Sequence, residues 1–571
     1  MCGIFAVINN SNDSNNLDVY MEAFNEGKTR GPEFSSLTAA DIEHKIVHGF
    51  HRLAINGYMD SSSQQPIYYK NCSIICNGEI YNFKKLYEKS ETIPQTSSDC
   101  EIILHLYQKY GIEYTLQLLD GVFAFVLIDY DKNKIYVARD TYGVRPLFIA
   151  TENDKYYIAS EMKQILPLID FNVIKIHQFK PGTYSVFSIK NENYELDINE
   201  KHFSSSNSFF NYNIKNEETC LKLIRQSLEL AVEKRVKNTD RDIACLLSGG
   251  LDSSLIASLV KKYHSKYYPL KKLHTWSIGI TGSQDLKYAK IVADHIGSEH
   301  HSIEIDKMEL LSYIDEVIYR IESYDTTTVR ASIPNFLISK YIKNFEKTCD
   351  AKVIFNGDGS DEVTGGYLYF HYIKNCYEFD SECRKLLNNI HFFDVLRSDR
   401  SISSNGLEAR TPFLDRNFIQ TYLSIPPEFR CHTKKKLCEK FLLRKAFDDG
   451  LTLPEDILWR TKEAFSDGCS GDNESWYQII QRHIKKNVFN TVIFGKDLPE
   501  TDEEILESMC KEMKITYNKP TTLEQLYYRL LFENHYKNQS QVIPKFWMPT
   551  YGNTKDASAR TLDIYKVVNK L

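Results

Sequence analysis

The second residue of the chain is a cysteine, and its position allows chemistry that an internal cysteine lacks. Removal of Met1 is expected before so small a residue, and it would leave Cys2 with a free α-amino group. Such an amine has an unperturbed pKa of about 7.7–8.0, so it can act as a general base near neutral pH. A thiol beside its own amine combines nucleophile and base in one residue. Taken alone, this position is more simply explained as incidental.

Several downstream residues supply the groups that would bind a glutamine molecule. Arg52 offers a guanidinium for the α-carboxylate, and Glu79 and Asp99 offer carboxylates for the α-ammonium group. Asn77 and Gly78 provide N–H donors for the oxyanion that forms when a thiolate attacks the side-chain amide. Together with Cys2, these residues predict glutamine hydrolysis.

The same segments resemble the class II glutamine amidotransferases, which are N-terminal-nucleophile (Ntn) hydrolases. The resemblance covers roughly residues 2–190 and implies an α/β sandwich of antiparallel sheets with Cys2 as the nucleophile. It also implies a glutamine pocket formed by Arg52, Leu53, Ala54, Ile55, Asn56, Asn77, Gly78, Glu79 and Asp99. One turn departs from the family pattern, because Thr29 stands before Arg30 where the family usually has His, and Glu33 follows Pro32 where it has Asp.

A second set of residues, Leu-Leu-Ser-Gly-Gly-Leu-Asp-Ser-Ser at 246–254, lies between a predicted strand and a predicted helix. Its glycines let the backbone approach an anion closely, and the following N–H groups point toward that anion at the helix N-terminus. Asp252 is a carboxylate beside a phosphate site, which implies a bound Mg²⁺. A bare Gly-Gly turn would be an ordinary strand-to-helix turn, but the whole string resembles the PP-loop of ATP pyrophosphatases. It is not a Walker loop, because no Gly-Lys-Ser/Thr follows.

A third turn, at 356–362, closes another predicted strand. Ligands of a doubly wound sheet bind at the carboxyl ends of its strands, so this turn and the PP-loop are expected at one edge. The turn contributes Asn356, Gly357 and Asp358, and Asp361 is predicted as a second magnesium ligand.

Longer segments, at 324–332, 365–370, 406–415 and 462–468, resemble the asparagine synthetase family, and the resemblance extends to about residue 560. It implies that aspartate reacts with ATP to give β-aspartyl-AMP and pyrophosphate, that ammonia then forms asparagine, and that the protein is a homodimer. Arg330 and Lys462 would contact the anionic intermediate and the pyrophosphate. The implied ATP contacts are Leu246, Ser248, Gly249, Gly250, Asp252, Ser253, Ser254, Ile278, Asn356 and Gly357, with Leu246 and Ile278 against adenine.

Asn356 and Asp358 depart from the synthetase pattern. The family has a small hydroxyl residue at the first position and Glu at the second, which is one C–C bond, about 1.5 Å, longer than Asp. A misplacement near 1 Å costs about 100-fold in rate in sensitive sites. Two alternatives therefore stay open: a related amidotransferase that acts on another carboxylate, and a weakly active or non-catalytic paralogue. The complete set of Cys2, Arg52 and Asp99 weighs against the second.

The elements that must position the first set of residues are antiparallel strands. Short apolar runs at 3–8, 122–128, 134–139 and 155–160 predict strands, with a hairpin turn at 129–133, and the spacing within 100–110 predicts a helix. In the second part, strands at 242–247, 273–280 and 352–355 alternate with helical patterns. This alternation predicts a parallel sheet covered by helices on both faces. The domain prediction is 2–190, a polar linker at 191–216, a synthetase domain at 217–540 and a tail at 541–571.

Composition sets outer bounds. The 571 residues favour at least two domains, and 42% hydrophobic with 26% charged residues predict a packed globular protein. A net charge of -6 gives no electrostatic basis for binding nucleic acid or a membrane surface. No apolar run reaches the roughly 18 residues of a membrane span, and no signal-peptide layout is present. The 13 cysteines lack paired CxxC spacing, which predicts reduced thiols in the cytoplasm and no cysteine-based zinc site.

Overall fold

The computed structural model describes residues 1–10, 16–40, 45–190, 192–204, 209–345, 350–433, 437–460, 475–493 and 501–568. Lys462 and the rest of the predicted 462–468 segment lie outside these ranges.

Two six-stranded antiparallel sheets form the first domain, in the orders β10-β8-β9-β1-β3-β2 and β12-β11-β7-β6-β5-β4. Their strands are β1 (Gly3–Ile8), β2 (Phe34–Ala39), β3 (Ile46–Arg52), β4 (Ile67–Tyr69), β5 (Cys72–Ile80), β6 (Gly121–Asp129), β7 (Lys134–Arg139), β8 (Phe148–Glu152), β9 (Lys155–Ala159), β10 (His177–Gln178), β11 (Thr183–Lys190) and β12 (Asn193–His202).

Alternate residues of the central strands fill the space between these two sheets. Ile4, Ala6 and Ile8 of β1 pack in one cluster with Ala124 and Val126 of β6, as the two-residue period of a strand requires. Helices cover the outer faces, α1 on the first sheet and α2 to α4 on the second. The predicted α/β sandwich is confirmed.

A five-stranded parallel sheet, in the order β15-β14-β13-β16-β17, forms the centre of the second domain. Its strands are β13 (Asp242–Leu246), β14 (His274–Ile280), β15 (Glu299–Ile305), β16 (Ala351–Phe355) and β17 (Glu408–Arg410). Ile243 and Cys245 of β13 face a cluster that contains residues of α5, α6 and α7, whereas Ala244 and Leu246 face α9 and α10. The sheet is therefore covered on both faces, and the predicted doubly wound fold is confirmed.

The helices of the described residues surround these sheets. They are α1 (Asn16–Asn25), α2 (Phe83–Ser90), α3 (Ile102–Tyr110), α4 (Ile112–Leu118), α5 (Glu217–Lys237), α6 (Leu251–Tyr267), α7 (Gln284–Ile296), α8 (Lys307–Ser312), α9 (Ile314–Ile321), α10 (Thr326–Asn344), α11 (Ser360–Thr364), α12 (Cys376–Asn389), α13 (Asp394–Ser403), α14 (Arg416–Ser424), α15 (Pro427–Arg430), α16 (Phe441–Ala446), α17 (Glu455–Leu458), α18 (Trp476–His483), α19 (Asp502–Glu512), α20 (Leu523–His535) and α21 (Asp563–Val568), with a π-helix at Ile484–Ile493. Among these described helices, none has the length and apolar character that crossing a bilayer requires.

The structure differs from the predicted domain limits at two places. The segment predicted as a linker, 191–216, includes β12, which pairs with β11 as the edge of the second antiparallel sheet. The sequence did not predict this strand, because its residues are mostly polar. An edge strand is held by backbone hydrogen bonds and needs few apolar side chains. The segment predicted as a tail, 541–571, lines a cavity of the second domain through Trp547, Pro549 and Ala557.

Candidate active sites

Cys2 directly precedes β1 and lies under the β3-to-β4 loop. Its thiol is partly exposed and its Sγ donates to the Leu53 carbonyl oxygen at 3.6 Å. Arg30 Nε donates to the Cys2 carbonyl oxygen at 2.9 Å, which fixes the backbone at this residue. Burial raises the pKa of the Cys2 thiol to about 11. The thiol is therefore protonated near neutral pH, and a thiolate forms only if a nearby base accepts its proton.

Met1 is buried beside Cys2, in contact with the second domain. Its α-amine donates to the Leu407 carbonyl oxygen at 3.2 Å, and its Sδ contacts Arg145 Nη1. Burial lowers the pKa of this amine to about 6. The start of the chain thus lies in surroundings that favour a neutral amine, which is the form that accepts a proton.

Glu79 and Asp99 come together at the end of β5. Glu79 Oε2 accepts from Asn56 Nδ2 at 2.7 Å and from Asn238 Nδ2 at 2.9 Å, and Asp99 Oδ2 accepts from the Ile80 N–H at 2.6 Å. Burial raises the pKa of Asp99 to about 6, and burial together with the Asp99 carboxylate raises the pKa of Glu79 well above its usual range. A bound ammonium group would favour the ionised form of both carboxyl groups.

The loop between β3 and β4 is fixed by a residue that departs from the family pattern. Glu33 Oε2 accepts from the Ala54 N–H at 2.6 Å, and Glu33 Oε1 accepts from Arg241 Nη1 of the second domain at 2.8 Å. Arg52, at the end of β3, is buried and its Nη2 donates to the Gly57 carbonyl oxygen at 2.6 Å. Leu53 and Ile55 are buried. Glu33 therefore supports the loop in which Leu53 to Asn56 were predicted to bind glutamine.

Asn77 has an unusual environment within β5. Its side chain is fully buried, and neither Nδ2 nor Oδ1 has a hydrogen-bond partner among the described residues. An unsatisfied buried amide costs about 1–3 kcal/mol, so it is retained where a ligand supplies the missing partner. Gly78 follows in the same strand, opposite Phe123 of β6. The structure thus leaves a donor available at the position predicted for the oxyanion.

The raised pKa of Asp99 gives a prediction about pH. Because the folded, ligand-free protein holds this pKa near 6, kcat/KM for glutamine hydrolysis is expected to fall as the pH drops through about 6. Below that value the carboxyl group is neutral and no longer attracts the substrate ammonium. Asp99→Asn is expected to lower kcat/KM at every pH and to shift or remove this acid limb. A variant with wild-type kcat/KM and an unchanged acid limb would show that Asp99 does not bind the substrate.

The second site is a cavity of about 210 Å³ at the carboxyl ends of β13, β14 and β16. Most of the residues predicted to bind ATP line it. They are Leu246, Ser248, Gly250, Asp252, Ser253, Ile278, Asn356 and Gly357. Gly249 and Ser254 are not among the lining residues: the Gly249 carbonyl oxygen accepts from Arg460 Nη1 at 3.1 Å, and Ser254 is buried in α6.

The PP-loop connects β13 to α6 in a conformation that requires glycine. Gly249 has φ +73°, and a Cβ there would lie 2.4 Å from Tyr288 Cβ. A Cβ on Gly357 would lie 2.8 Å from the Ser253 nitrogen, so the two turns touch. Ser248 Oγ and Ser253 Oγ hydrogen-bond at 2.9 Å across the loop. These contacts hold the third turn against the N-terminus of α6. The turn and the PP-loop thus lie at one edge of the sheet, as predicted.

Asp252 and Asp361, the two predicted magnesium ligands, face the same cation. Lys440 Nζ lies 2.6 Å from Asp252 Oδ2 and 2.6 Å from Asp361 Oδ1, and Ser360 Oγ donates to Asp252 Oδ1 at 2.9 Å. Two convergent carboxylates are a donor set that suits Mg²⁺, so these residues fit the ion provided that Lys440 moves aside. Sequence reasoning missed Lys440, because nothing in its spacing distinguishes it within a lysine-rich stretch.

Asp358 and Asn356, the two departures from the family pattern, each have a partner in α13. Arg397 Nη2 contacts Asp358 Oδ1 at 2.8 Å and Asp394 Oδ1 at 2.8 Å. Asn356 Nδ2 donates to Ser398 Oγ at 2.7 Å. Burial raises the pKa of Asp358, and the Arg397 guanidinium opposes that shift. The shorter acid and the amide are therefore both accommodated.

Arg330 lines the cavity, but its guanidinium is held on two sides. It donates to both oxygens of Glu524 at 2.8 and 2.6 Å and to both oxygens of Asp556 at 2.8 Å. Glu524 lies in the first turn of α20, and Asp556 belongs to the predicted tail. A direct contact between Arg330 and a phosphate group would have to replace one of these carboxylates.

Strand β17 joins the two sites. Arg410 Nη2 lies 3.3 Å from Glu79 Oε2 in the predicted glutamine pocket, and the Arg410 carbonyl oxygen accepts from the Asn356 N–H at 3.1 Å beside the predicted ATP site. Arg410 Nε also pairs with Glu408 at 2.9 Å. Removing one partner of such a buried pair typically costs about 3–5 kcal/mol. Sequence reasoning noted this segment as a resemblance only and predicted no strand there.

Comparison with known proteins agrees with the division of the chain into two parts. Residues 1–196 match the family described as a glutamine amidotransferase domain, and residues 223–382 and 373–548 match the family described as asparagine synthase. The chain is 41% identical to the Bos taurus protein named asparagine synthetase [glutamine-hydrolyzing], over 100% of both chains. It is 40% identical to the proteins of that name from Gallus gallus and Homo sapiens, over 99% of each chain.

A domain of the glutamine amidotransferase type and a synthetase domain of the asparagine synthase type are thus combined in one polypeptide. The chain belongs to the asparagine synthetase family.

Proposed function

We propose that this protein converts L-aspartate to L-asparagine, using ATP and ammonia taken from L-glutamine, and releases AMP, diphosphate and L-glutamate. The observation that carries the proposal is the connection through β17, in which Arg410 contacts Glu79 on one side and Asn356 on the other. A glutamine pocket and an ATP cavity that share a strand suit a reaction in which one site supplies the other. The names of the relatives support aspartate as the carboxylate substrate.

In the first site, removal of Met1 leaves the Cys2 amine as the base that accepts the thiol proton. The thiolate attacks the carbon of the glutamine side-chain amide, and the Asn77 amide and the Gly78 N–H stabilise the oxyanion. The C–N bond then breaks as the protonated Cys2 amine gives its proton to the leaving nitrogen, ammonia leaves, and water hydrolyses the glutamyl thioester. Arg52 would bind the substrate carboxylate, while Glu79 and Asp99 would bind its ammonium group.

In the second site, an oxygen of the aspartate β-carboxylate attacks the α-phosphorus of ATP. The bond to the β-phosphate breaks, which gives β-aspartyl-AMP and diphosphate. Asp252 and Asp361 would hold Mg²⁺, which neutralises negative charge on the phosphates. Ammonia attacks the acyl carbon, loses a proton and displaces AMP. Lys440 is a buried cation beside the cavity. Lys462 is proposed, from the sequence alone, to contact the anionic intermediate and the diphosphate.

Product analysis tests this proposal. Incubation with aspartate, glutamine, ATP and Mg²⁺ is expected to yield asparagine, glutamate, AMP and diphosphate in equal amounts. Formation of ADP and phosphate as the stoichiometric products would rule out the adenylate route. A higher kcat/KM with a carboxylate other than aspartate would instead support the related amidotransferase.

Asp358 is proposed as the carboxylate that assists the incoming ammonia. Asp358→Ala is expected to reduce asparagine formation by about 100-fold, the size of effect seen when a reacting geometry is lost. Arg397 keeps Asp394 as a partner, so the fold should persist. Asp358→Glu restores the carboxylate and should retain or exceed wild-type synthesis.

Glutamine hydrolysis serves as the internal control for both Asp358 variants, because Cys2 lies in the other domain. Wild-type asparagine formation by Asp358→Ala would exclude a catalytic role for this residue. Loss of glutaminase in the same variant would point to misfolding, which thermal unfolding of the purified variant would confirm or dismiss.

The family resemblance further suggests a homodimer, and the reduced cysteines suggest the cytoplasm. Light scattering coupled to gel filtration measures the mass in solution, and a single species of monomer mass would reject the dimer.

A further inference from the structure

Three side chains with metal-binding atoms converge on the parallel sheet, at the end opposite the PP-loop. His274 begins β14, and Glu299 and His301 lie at the start of the neighbouring edge strand β15. In the register, His274 is opposite Glu299 and Trp276 is opposite His301, so the two β15 residues share one face of the sheet. One ligand atom from each of His274, Glu299 and His301 lies within 4.8 Å of the other two.

The separation of the two imidazoles is close to that required by one metal ion. His274 Nδ1 and His301 Nε2 are 2.9 Å apart, and the rings stack at an interplanar angle of 8°. Two ligands of a tetrahedral ion with bonds of about 2.0–2.1 Å lie roughly 3.4 Å apart. An opening of about half an ångström would therefore admit an ion in place of the proton that the two nitrogens share.

The surroundings hold the two imidazoles in place. The His301 ring stacks on Trp276 with centroids 4.1 Å apart. The charged groups that face the cluster are Asp242 and Lys272, and Lys272 Nζ lies 3.3 Å from Glu299 Oε2.

We propose that His274, Glu299 and His301 bind a divalent transition-metal ion of the zinc class through two imidazole nitrogens and one carboxylate oxygen. Imidazole suits such ions, whereas the carboxylate pair of the ATP cavity suits Mg²⁺. The site lies at the amino ends of β14 and β15, and the ATP cavity lies at the carboxyl ends. The bound ion joins an edge strand to the sheet and takes no part in the reaction. On binding, the proton between the two nitrogens moves through solvent to the other nitrogen of the ring that carried it, so both imidazoles bind as neutral ligands.

The test is a Zn²⁺ titration of tag-free, chelator-treated protein against a chromophoric competitor. The variants are His301→Gln and Glu299→Gln, and His300→Gln is the matched control. His300 lies between them on the same strand, and its side chain faces the other way to Thr275 Oγ1 at 3.0 Å and Ser277 Oγ at 3.1 Å. Co²⁺ absorption distinguishes nitrogen and oxygen ligands from thiolates, which matters because the chain has 13 cysteines.

Wild type and His300→Gln are each expected to bind one more equivalent of Zn²⁺ than His301→Gln binds. Glu299→Gln is expected to bind Zn²⁺ at least about tenfold more weakly than wild type. Zn²⁺ should raise the unfolding temperature of wild type and His300→Gln, while His301→Gln should lack this increment. The Co²⁺ spectrum of the lost equivalent should contain no thiolate band. Equal Zn²⁺ stoichiometry and affinity in wild type and His301→Gln would overturn the proposal and leave a His–His hydrogen bond as the sole role of the pair.

Discussion

Cys2→Ala is expected to abolish glutamine-dependent asparagine synthesis, with a loss of at least about 10⁴-fold, the scale on which hydrolases lose activity without their nucleophile. Synthesis from added ammonia should remain close to wild type, because the PP-loop cavity contains no group from the thiol site. The loss is chemical rather than structural, since the hydrogen bond that the Cys2 thiol gives up, to the Leu53 carbonyl oxygen, is long at 3.6 Å. Rates of asparagine formation with each nitrogen source measure the difference.

Cys510→Ala is the matched control for Cys2→Ala, because Cys510 is also partly exposed and lies in α19 of the second domain. Mass spectrometry of active wild-type protein should show that Met1 is absent. If Cys2→Ala loses asparagine synthesis from glutamine and from ammonia to the same extent while its unfolding temperature is unchanged, the two-site mechanism is wrong. Full activity with Met1 retained would remove the α-amine as the base.

Asp252→Asn is expected to slow synthesis from either nitrogen source by about 10²–10³-fold, comparable to the loss of one preorganised electrostatic group. The change keeps the shape of the side chain but removes the charge that faces Lys440 at 2.7 and 2.6 Å. Weaker Mg²⁺ binding should appear as a higher Mg²⁺ concentration at half-maximal rate. Glutamine hydrolysis should change little.

Asp294→Asn tests whether any aspartate in this domain would have the same effect, because Asp294 is exposed and pairs only with Lys290 in α7 among the contacts described. It should leave both activities intact. An Asp252→Asn protein with unaltered synthesis and Mg²⁺ dependence would show that this carboxylate does not hold the ion. Equal loss of synthesis and of glutamine hydrolysis would indicate a fold defect.

The sequence determined the features that depend on neighbouring residues. The apolar runs at 122–128 and 134–139 and the turn between them predicted a hairpin, and the structure forms it between Gly121–Asp129 and Lys134–Arg139. The glycine turn after β13 was equally readable, because a strand, a tight turn and a helix lie within one short segment. The residues of the glutamine pocket stay a prediction from residue type, since an amino-acid ligand pairs with both a guanidinium and carboxylates.

Only the tertiary structure decided which distant residues meet. Lys440 lies 188 residues from Asp252, Arg410 lies 331 residues from Glu79, and Arg330 lies 226 residues from Asp556. No periodic pattern in the sequence predicts any of these pairs. A charged residue that will be buried cannot be distinguished in the sequence from an exposed one until its partner is known. The edge strands β12 and β17 were missed for a related reason, as backbone hydrogen bonds to a neighbouring strand do not depend on side-chain pattern. The proposed chemistry of each site was therefore predicted from local residue types. The contacts that hold those residues in place and connect the two sites form only when distant segments of the chain fold onto one another.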